Sequence, residues 1–264
     1  MNTVISKDGT AIAFDRTGRG PALIVVDGAL CYRASGPSAP LAAVLAPHFT
    51  VYTYDRRGRG DSTDTAPYTI EREVEDIAAL IAEADGQAYV YGCSSGAVLA
   101  LEAANRLQGI RRLALYEAPF VVDDTLSAMP DNYLPQLKAM VAEDRRSDAV
   151  KFFMKRVGVP GFFLVLMPMM PVWGKLKSVA PTLVYDITLV HDFQKGKPLP
   201  KDQWGRVTMP TLVGVGGKSP AWMRNGMRNL AGVLPNAKHQ VLEGQTHMVK
   251  AQAVAQAVVP FFQE

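Results

Sequence analysis

Short apolar runs alternate with stretches of helical spacing along this chain. Residues 22–26 (ALIVV), 50–55 (TVYTYD), 88–92 (AYVYG) and 112–117 (RLALYE) are continuous or nearly continuous apolar runs of strand length. Runs that are apolar on both faces fit strands of a buried parallel sheet. Between them, 70–84 places Val74, Ile77, Ala78 and Ile81 on one helical stripe. Thr69 stands at its N-cap position and acids fill its first turn. Residues 95–107 are small and apolar, as suits a helix packed on a sheet. Two more strands, 211–215 and 238–242, are each followed by a helical pattern, at 221–234 and 247–262. At the start, 4–6 and 11–15 flank Lys7-Asp8-Gly9-Thr10 and predict a hairpin.

A hairpin, then repeated strand–helix units, predicts a doubly wound, mostly parallel α/β sheet with helices on both faces. The alternation breaks between 119 and 206, where no buried strand pattern occurs and Met and Pro cluster. The predicted division is therefore a core of 1–118 and 207–264 with a mostly helical cap insertion of 119–206. Within it, 157–173 (VGVPGFFLVLMPMMPVW) carries no charge, but Pro160, Pro168 and Pro171 interrupt it, so it is no spanning helix. It reads as a buried, kinked helical segment that lines a hydrophobic substrate pocket.

Composition narrows the function. The chain has 264 residues, 48% hydrophobic and 20% charged, the balance of an ordinary globular protein. A net charge of +3 is too small to point to nucleic acid. Residues 138–206 hold twelve basic and six acidic residues, which reads as a solvated basic face, with attraction of anionic substrates as the sharper alternative. Cys31 and Cys93 form no disulfide framework and no metal spacing. The first residues carry no basic-then-apolar leader, so the expected location is a reducing cytoplasm. Gly18-Arg19-Gly20 is a turn between strands, so no dinucleotide loop is present.

The chemistry centres on Gly92-Cys93-Ser94-Ser95-Gly96, a G-x-S-x-G pentapeptide between a predicted strand and helix. A tight turn there lifts a serine hydroxyl above the sheet edge and aims the helix's first amides at the reacting centre. With this motif the chain resembles the α/β-hydrolase superfamily over nearly its whole length apart from the cap. The resemblance extends to Tyr54-Asp55-Arg56-Arg57-Gly58-Arg59-Gly60-Asp61-Ser62, similar to the family's D-x-R-G-x-G-x-S loop. Asp27-Gly28-Ala29 stands where the family usually has His-Gly, and Gly244-Gln245-Thr246-His247-Met248 where it places its histidine.

The resemblance implies an eight-stranded α/β-hydrolase fold, Ser94 as nucleophile and His247 as general base. The acid is the open point. Many members carry it after strand seven, yet 207–242 contains no Asp or Glu, and Ser219 stands about where it is expected. Glu117, at the end of the strand beside the nucleophile strand, is the favoured acid, with Asp123 and Asp124 as alternatives. The amides of Ala29 and Ser95 are the expected oxyanion hole. Asp27, Cys93 and His191 are possible pocket residues, although a loop-bracing carboxylate, an inert thiol and a structural histidine are the ordinary readings. Arg56, Arg57 and Arg59 are expected to brace loops by pairing with Asp55 or Asp61.

The function so implied is hydrolysis of a small to medium, hydrophobic carboxylic ester, thioester or lactone through an acyl-enzyme on Ser94. The partner is a small molecule, with no metal or organic cofactor and no membrane span. Two alternatives stay open: a cofactor-free perhydrolase, lyase or cyclase on the same fold, and a non-catalytic protein that binds a hydrophobic ligand.

Overall fold

The computed structural model describes residues 2–264. Eight strands form one sheet in the order β1-β2-β4-β3-β5-β6-β7-β8. β1 (Asn2–Ile5) and β2 (Ala11–Gly18) make the predicted hairpin, and β2 pairs antiparallel with β4 (Thr50–Tyr54). From β4 onward every pairing is parallel, through β3 (Ala22–Val26), β5 (Ala88–Cys93), β6 (Ile110–Tyr116), β7 (Thr211–Gly216) and β8 (Ala237–Leu242). The predicted eight-stranded, mostly parallel sheet is thus what forms, with helices on both faces.

The apolar runs become inner strands because two separate cores need them. α1 (Ser38–Leu45) and α10 (Ala251–Gln263) bury Leu41, Leu45, Val258 and Phe262 against Leu23, Val25 and Val51. On the other face α2 (Ile70–Glu83), α3 (Ser95–Arg106) and α9 (Ala221–Val233) cover Ile24, Val26, Val90 and Leu113. α1 has no counterpart among the predicted helices. α10 begins at Ala251, four residues after the expected start, so His247 lies in a loop and not on the helix. Thr69 holds the N-cap position of α2 but makes no capping hydrogen bond with its side chain.

Between β6 and β7 the chain forms α4 (Tyr133–Ala142), α5 (Arg146–Arg156), α6 (Gly161–Leu166), α7 (Trp173–Val179) and α8 (Leu183–Val190), joined by short 3₁₀ turns, with no strand. One expectation fails here. The uncharged run 157–173 is not a buried segment: α6 has no buried residue, and only Met167 and Trp173 of the run lie in the core. Pro160 and the Pro168/Pro171 pair limit it to one short helix and a 3₁₀ turn (Met167–Met169), too short to turn a full apolar face inward. Among the described residues, no helix is long and apolar enough to cross a membrane.

Candidate active site

The three central strands β3, β5 and β6 end together, and their C-terminal loops build the site. β5 pairs Cys93 with Tyr116 of β6, and the Ser94 amide extends the ladder by donating to the Tyr116 carbonyl at 2.9 Å. Ser94 then turns sharply, with φ 57° and ψ −130°, and α3 starts at Ser95. A non-glycine residue in that region is strained, and such strain collects at functional sites. The turn is possible only because its neighbours lack side chains. A Cβ on Gly96 would strike the Val26 carbonyl, and one on Gly28 would lie 2.9 Å from the Ser94 Cβ. The loop after β3 therefore lies directly against Ser94.

Glu117 follows β6 in a second left-handed conformation, φ 50°, and its side chain is fully buried. Its two oxygens have separate tasks. Oε1 accepts from the Gly216 amide at 2.8 Å and from the Ser219 hydroxyl. Oε2 receives the Nδ1 of His247 at 2.8 Å. Burial pushes this carboxyl up, but the hydrogen bonds from His247, Ser219 and Gly216 outweigh burial and hold it below the usual glutamate value. The His247 loop is itself fixed, since the Tyr116 hydroxyl donates to the Thr246 carbonyl at 2.8 Å. His247 remains partly open to solvent.

Of the three candidate acids, only Glu117 meets His247. Asp123 accepts from Asn225 and Thr125 instead, and the exposed Asp124 makes no contact with the histidine among the described residues. Among the described residues, no loop or side-chain hydrogen bond from the Ala29 or Ser95 N–H is found. His191 is not brought to Ser94. It sits in the turn after α8, bonded to Asp192 and to Lys195, which itself pairs with Asp131. Asp27 is buried beneath the β3 loop, and burial pushes its carboxyl up to about 6 against the pull of Arg59 and Arg56. Burial also raises the Cys31 thiol to about 12 and lifts Cys93 further, so neither is a thiolate at neutral pH.

The arginines brace loops, but not with the expected partners. Asp55 and Asp61 pair with Arg33. Arg57 pairs with Asp8 and Asp76, and Arg56 forms a bidentate pair with Glu73. Arg56 and Arg59 then meet at one carboxylate that the sequence reading missed, Asp186 of α8. Asp186 Oδ1 accepts from Arg56 at 2.6 Å and from the Ser95 hydroxyl at 2.7 Å, and Oδ2 accepts from Arg59 at 2.7 Å. Arg59 in turn donates to the carbonyls of Gly28 and Cys31, at 2.7 and 3.1 Å, on either side of Ala29. All four side chains are buried. Burial pushes Asp186 up, yet Arg59, Arg56 and Ser95 more than offset it and keep the group ionised. The signal was present in the sequence. Asp186 is the only acid between Asp148 and Asp192, in the apolar helix LVYDITLV, opposite three arginines in one loop. Such an acid is buried only if it is paired.

Comparison with known proteins adds the family. A model described as the alpha/beta hydrolase family matches residues 18–257. A crystal structure of an alpha/beta hydrolase from Sphaerobacter thermophilus DSM 20745 is similar at 49% identity and a TM-score of 0.90, covering 99% of this chain and 100% of that one. A pimeloyl-[acyl-carrier protein] methyl ester esterase of Xanthomonas axonopodis pv. citri (strain 306) is 34% identical over 142 residues, 52% of this chain and 54% of its own length. The esterase of the same name from Xylella fastidiosa (strain M12) is 38% identical over 103 residues, 39% of this chain and 38% of its own length. The chain thus spans about half or less of the curated relatives it matches.

Proposed function

The chain belongs to the alpha/beta hydrolase family, and on that premise we propose that it is a serine hydrolase cleaving a small to medium carboxylic ester, thioester or lactone through an acyl-enzyme on Ser94. The observation that carries this reading is the 2.8 Å bond between His247 Nδ1 and the fully buried Glu117, at the strand end beside the Ser94 turn. A serine hydroxyl is a poor nucleophile until an imidazole takes its proton, and the imidazole needs a third group to fix its tautomer. Glu117, held ionised by three donors, accepts from Nδ1–H and leaves Nε2 free as the base.

Ser94 Oγ attacks the acyl carbon and His247 Nε2 takes its proton. The Ala29 and Ser95 amides receive the developing oxyanion, aided by the positive end of α3. His247 then protonates the leaving alcohol or thiol. Water, deprotonated by the same imidazole, attacks the acyl-enzyme and releases the acid. Asp186 acts through other groups in this scheme: it holds Ser95 directly and the Ala29 loop through Arg59. The helical segment 119–206 serves as the cap. The relatives' names, both methyl ester esterases, favour an ester as substrate.

The perhydrolase, lyase or cyclase alternative drew on a missing strand-seven acid and on Asp27. With Glu117 on His247, only Asp27 still supports it. The test is turnover of p-nitrophenyl acetate and butyrate beside peracid formation from peroxide and an organic acid. Ester turnover that Ser94→Ala abolishes supports the hydrolase. Peracid formation without ester turnover contradicts it.

A further inference from the structure

The exposed apolar side chains of this protein are concentrated in one place. Seven of the ten large ones among the described residues fall between 157 and 170: Val157, Phe162, Phe163, Val165, Leu166, Met169 and Met170. Phe162 is 63% exposed, Val165 73% and Met169 82%. The Phe162 and Phe163 rings pack on each other, with centroids 4.3 Å apart, on a helix that buries none of its residues. Scattered apolar residues on a surface are ordinary, but a contiguous projecting cluster marks a contact site.

The chain around the cluster is rich in cations, and the nearest acids, Asp144 and Asp148 at the start of α5, border one cleft with Gly174 and Lys177 of α7. From 149 to 185 there is no Asp or Glu, while Lys151, Lys155, Arg156, Lys175 and Lys177 all occur. The first three lie on α5 and the last two on α7, the helices packed against α6 and its following turn. Among the described residues, none of the five pairs with a carboxylate. An apolar knuckle flanked by unneutralised cations is complementary to a surface with an apolar interior and anionic head groups.

We infer that α6 and the turn after it dock this protein on an anionic phospholipid surface. The aromatic and Met side chains enter the headgroup boundary, and the α5 and α7 cations sit over the lipid phosphates. A second copy of this chain fits less well, because a two-fold contact on this patch would set the same five cations against each other. The inference rests on this patch alone and is independent of the chemistry at Ser94.

The experiment is cosedimentation of the full chain with vesicles of phosphatidylcholine alone and of phosphatidylcholine mixed with phosphatidylglycerol. Binding to the anionic vesicles only, weakening as salt is raised, is expected. Phe162→Ser with Phe163→Ser should weaken it by at least about tenfold, with unchanged circular dichroism. Lys151→Glu with Lys155→Glu should weaken it by roughly 30-fold or more, and decides alone if the first variant misfolds. Failure to bind, equal binding to both vesicles, or binding that survives a folded variant overturns the inference. So does a dimer, or capture of an acidic protein without lipid binding, that the same substitutions dissolve.

Discussion

Replacing Asp186 by Ala tests whether helix α8 shapes the proposed oxyanion site or merely leans on it. In the native cluster Arg56 and Arg59 are balanced by Glu73 and Asp186, with all four groups at most 1% exposed. Asp186→Ala leaves one guanidinium charge buried without a partner. Breaking a buried pair from one side costs about 3–5 kcal/mol, a large share of the 5–15 kcal/mol or so that holds a domain together. The same change frees the Ser95 hydroxyl and the Arg59 head group that holds the Gly28 and Cys31 carbonyls. Losing one oxyanion donor outright costs about 10²–10³ in turnover, and displacing two without removing them should cost between about tenfold and a hundredfold in kcat. KM should barely move, because the donors engage the transition state more than the bound ester. Ser95→Ala is the milder companion. It keeps the charges balanced, so its stability loss should be only about 1 kcal/mol while kcat still falls. The assays are urea denaturation and p-nitrophenyl butyrate kinetics, run where each variant is folded. If Asp186→Ala loses less than about 1 kcal/mol and keeps its kcat, the coupling argued here is wrong.

Glu117→Gln should lower kcat by about 10³–10⁴, whereas Asp123→Asn should leave it near normal; the reverse order in ester kinetics would move the acid to Asp123. Ser219→Ala removes a donor that keeps Glu117 ionised, so the acid limb of the kcat/KM profile should shift to higher pH, and an unmoved limb would count against Ser219 as a positioning residue. Asp27 has a carboxyl raised from 3.8 to about 6 by burial, so the native state holds its proton more tightly than the unfolded chain does. Its contribution is neutral below the unfolded value and becomes a penalty that is complete above pH 6 or so. Asp27→Asn should therefore stabilise the protein by about 3 kcal/mol in urea melts near pH 8 and by little near pH 4; equal effects at both would refute the burial argument.

The sheet was legible because its strands leave no choice. ALIVV at 22–26 is apolar on both faces and fits only a strand covered twice. The Ser94 turn was legible for a different reason: close backbone approach at Gly28 and Gly96 demands glycine, and the spacing writes that demand into the sequence. Glu117 could be found because β6 pairs with β5, which puts the residue after Tyr116 beside the residue after Cys93. The errors share one cause, the lack of a long-range partner in any local pattern. Local pattern matches Arg56 and Arg59 to nearby Asp55 and Asp61, but the partner they share lies more than a hundred residues on, at Asp186. The run 157–173 stays largely exposed because apolarity leads to burial only where a second surface is present to cover it. His191, a possible pocket residue with a structural role as its ordinary reading, bonds to Asp192 and Lys195.

The central claim is that Ser94 is a nucleophile primed by a Glu117-oriented His247. The most direct test is the rate at which a fluorophosphonate modifies the protein, followed by intact mass and location of the adduct. The account predicts a single adduct on Ser94, none in Ser94→Ala, and labelling slowed by orders of magnitude in His247→Ala and Glu117→Gln. An adduct on another residue, or a Ser94 that labels as fast without His247 as with it, would contradict the account.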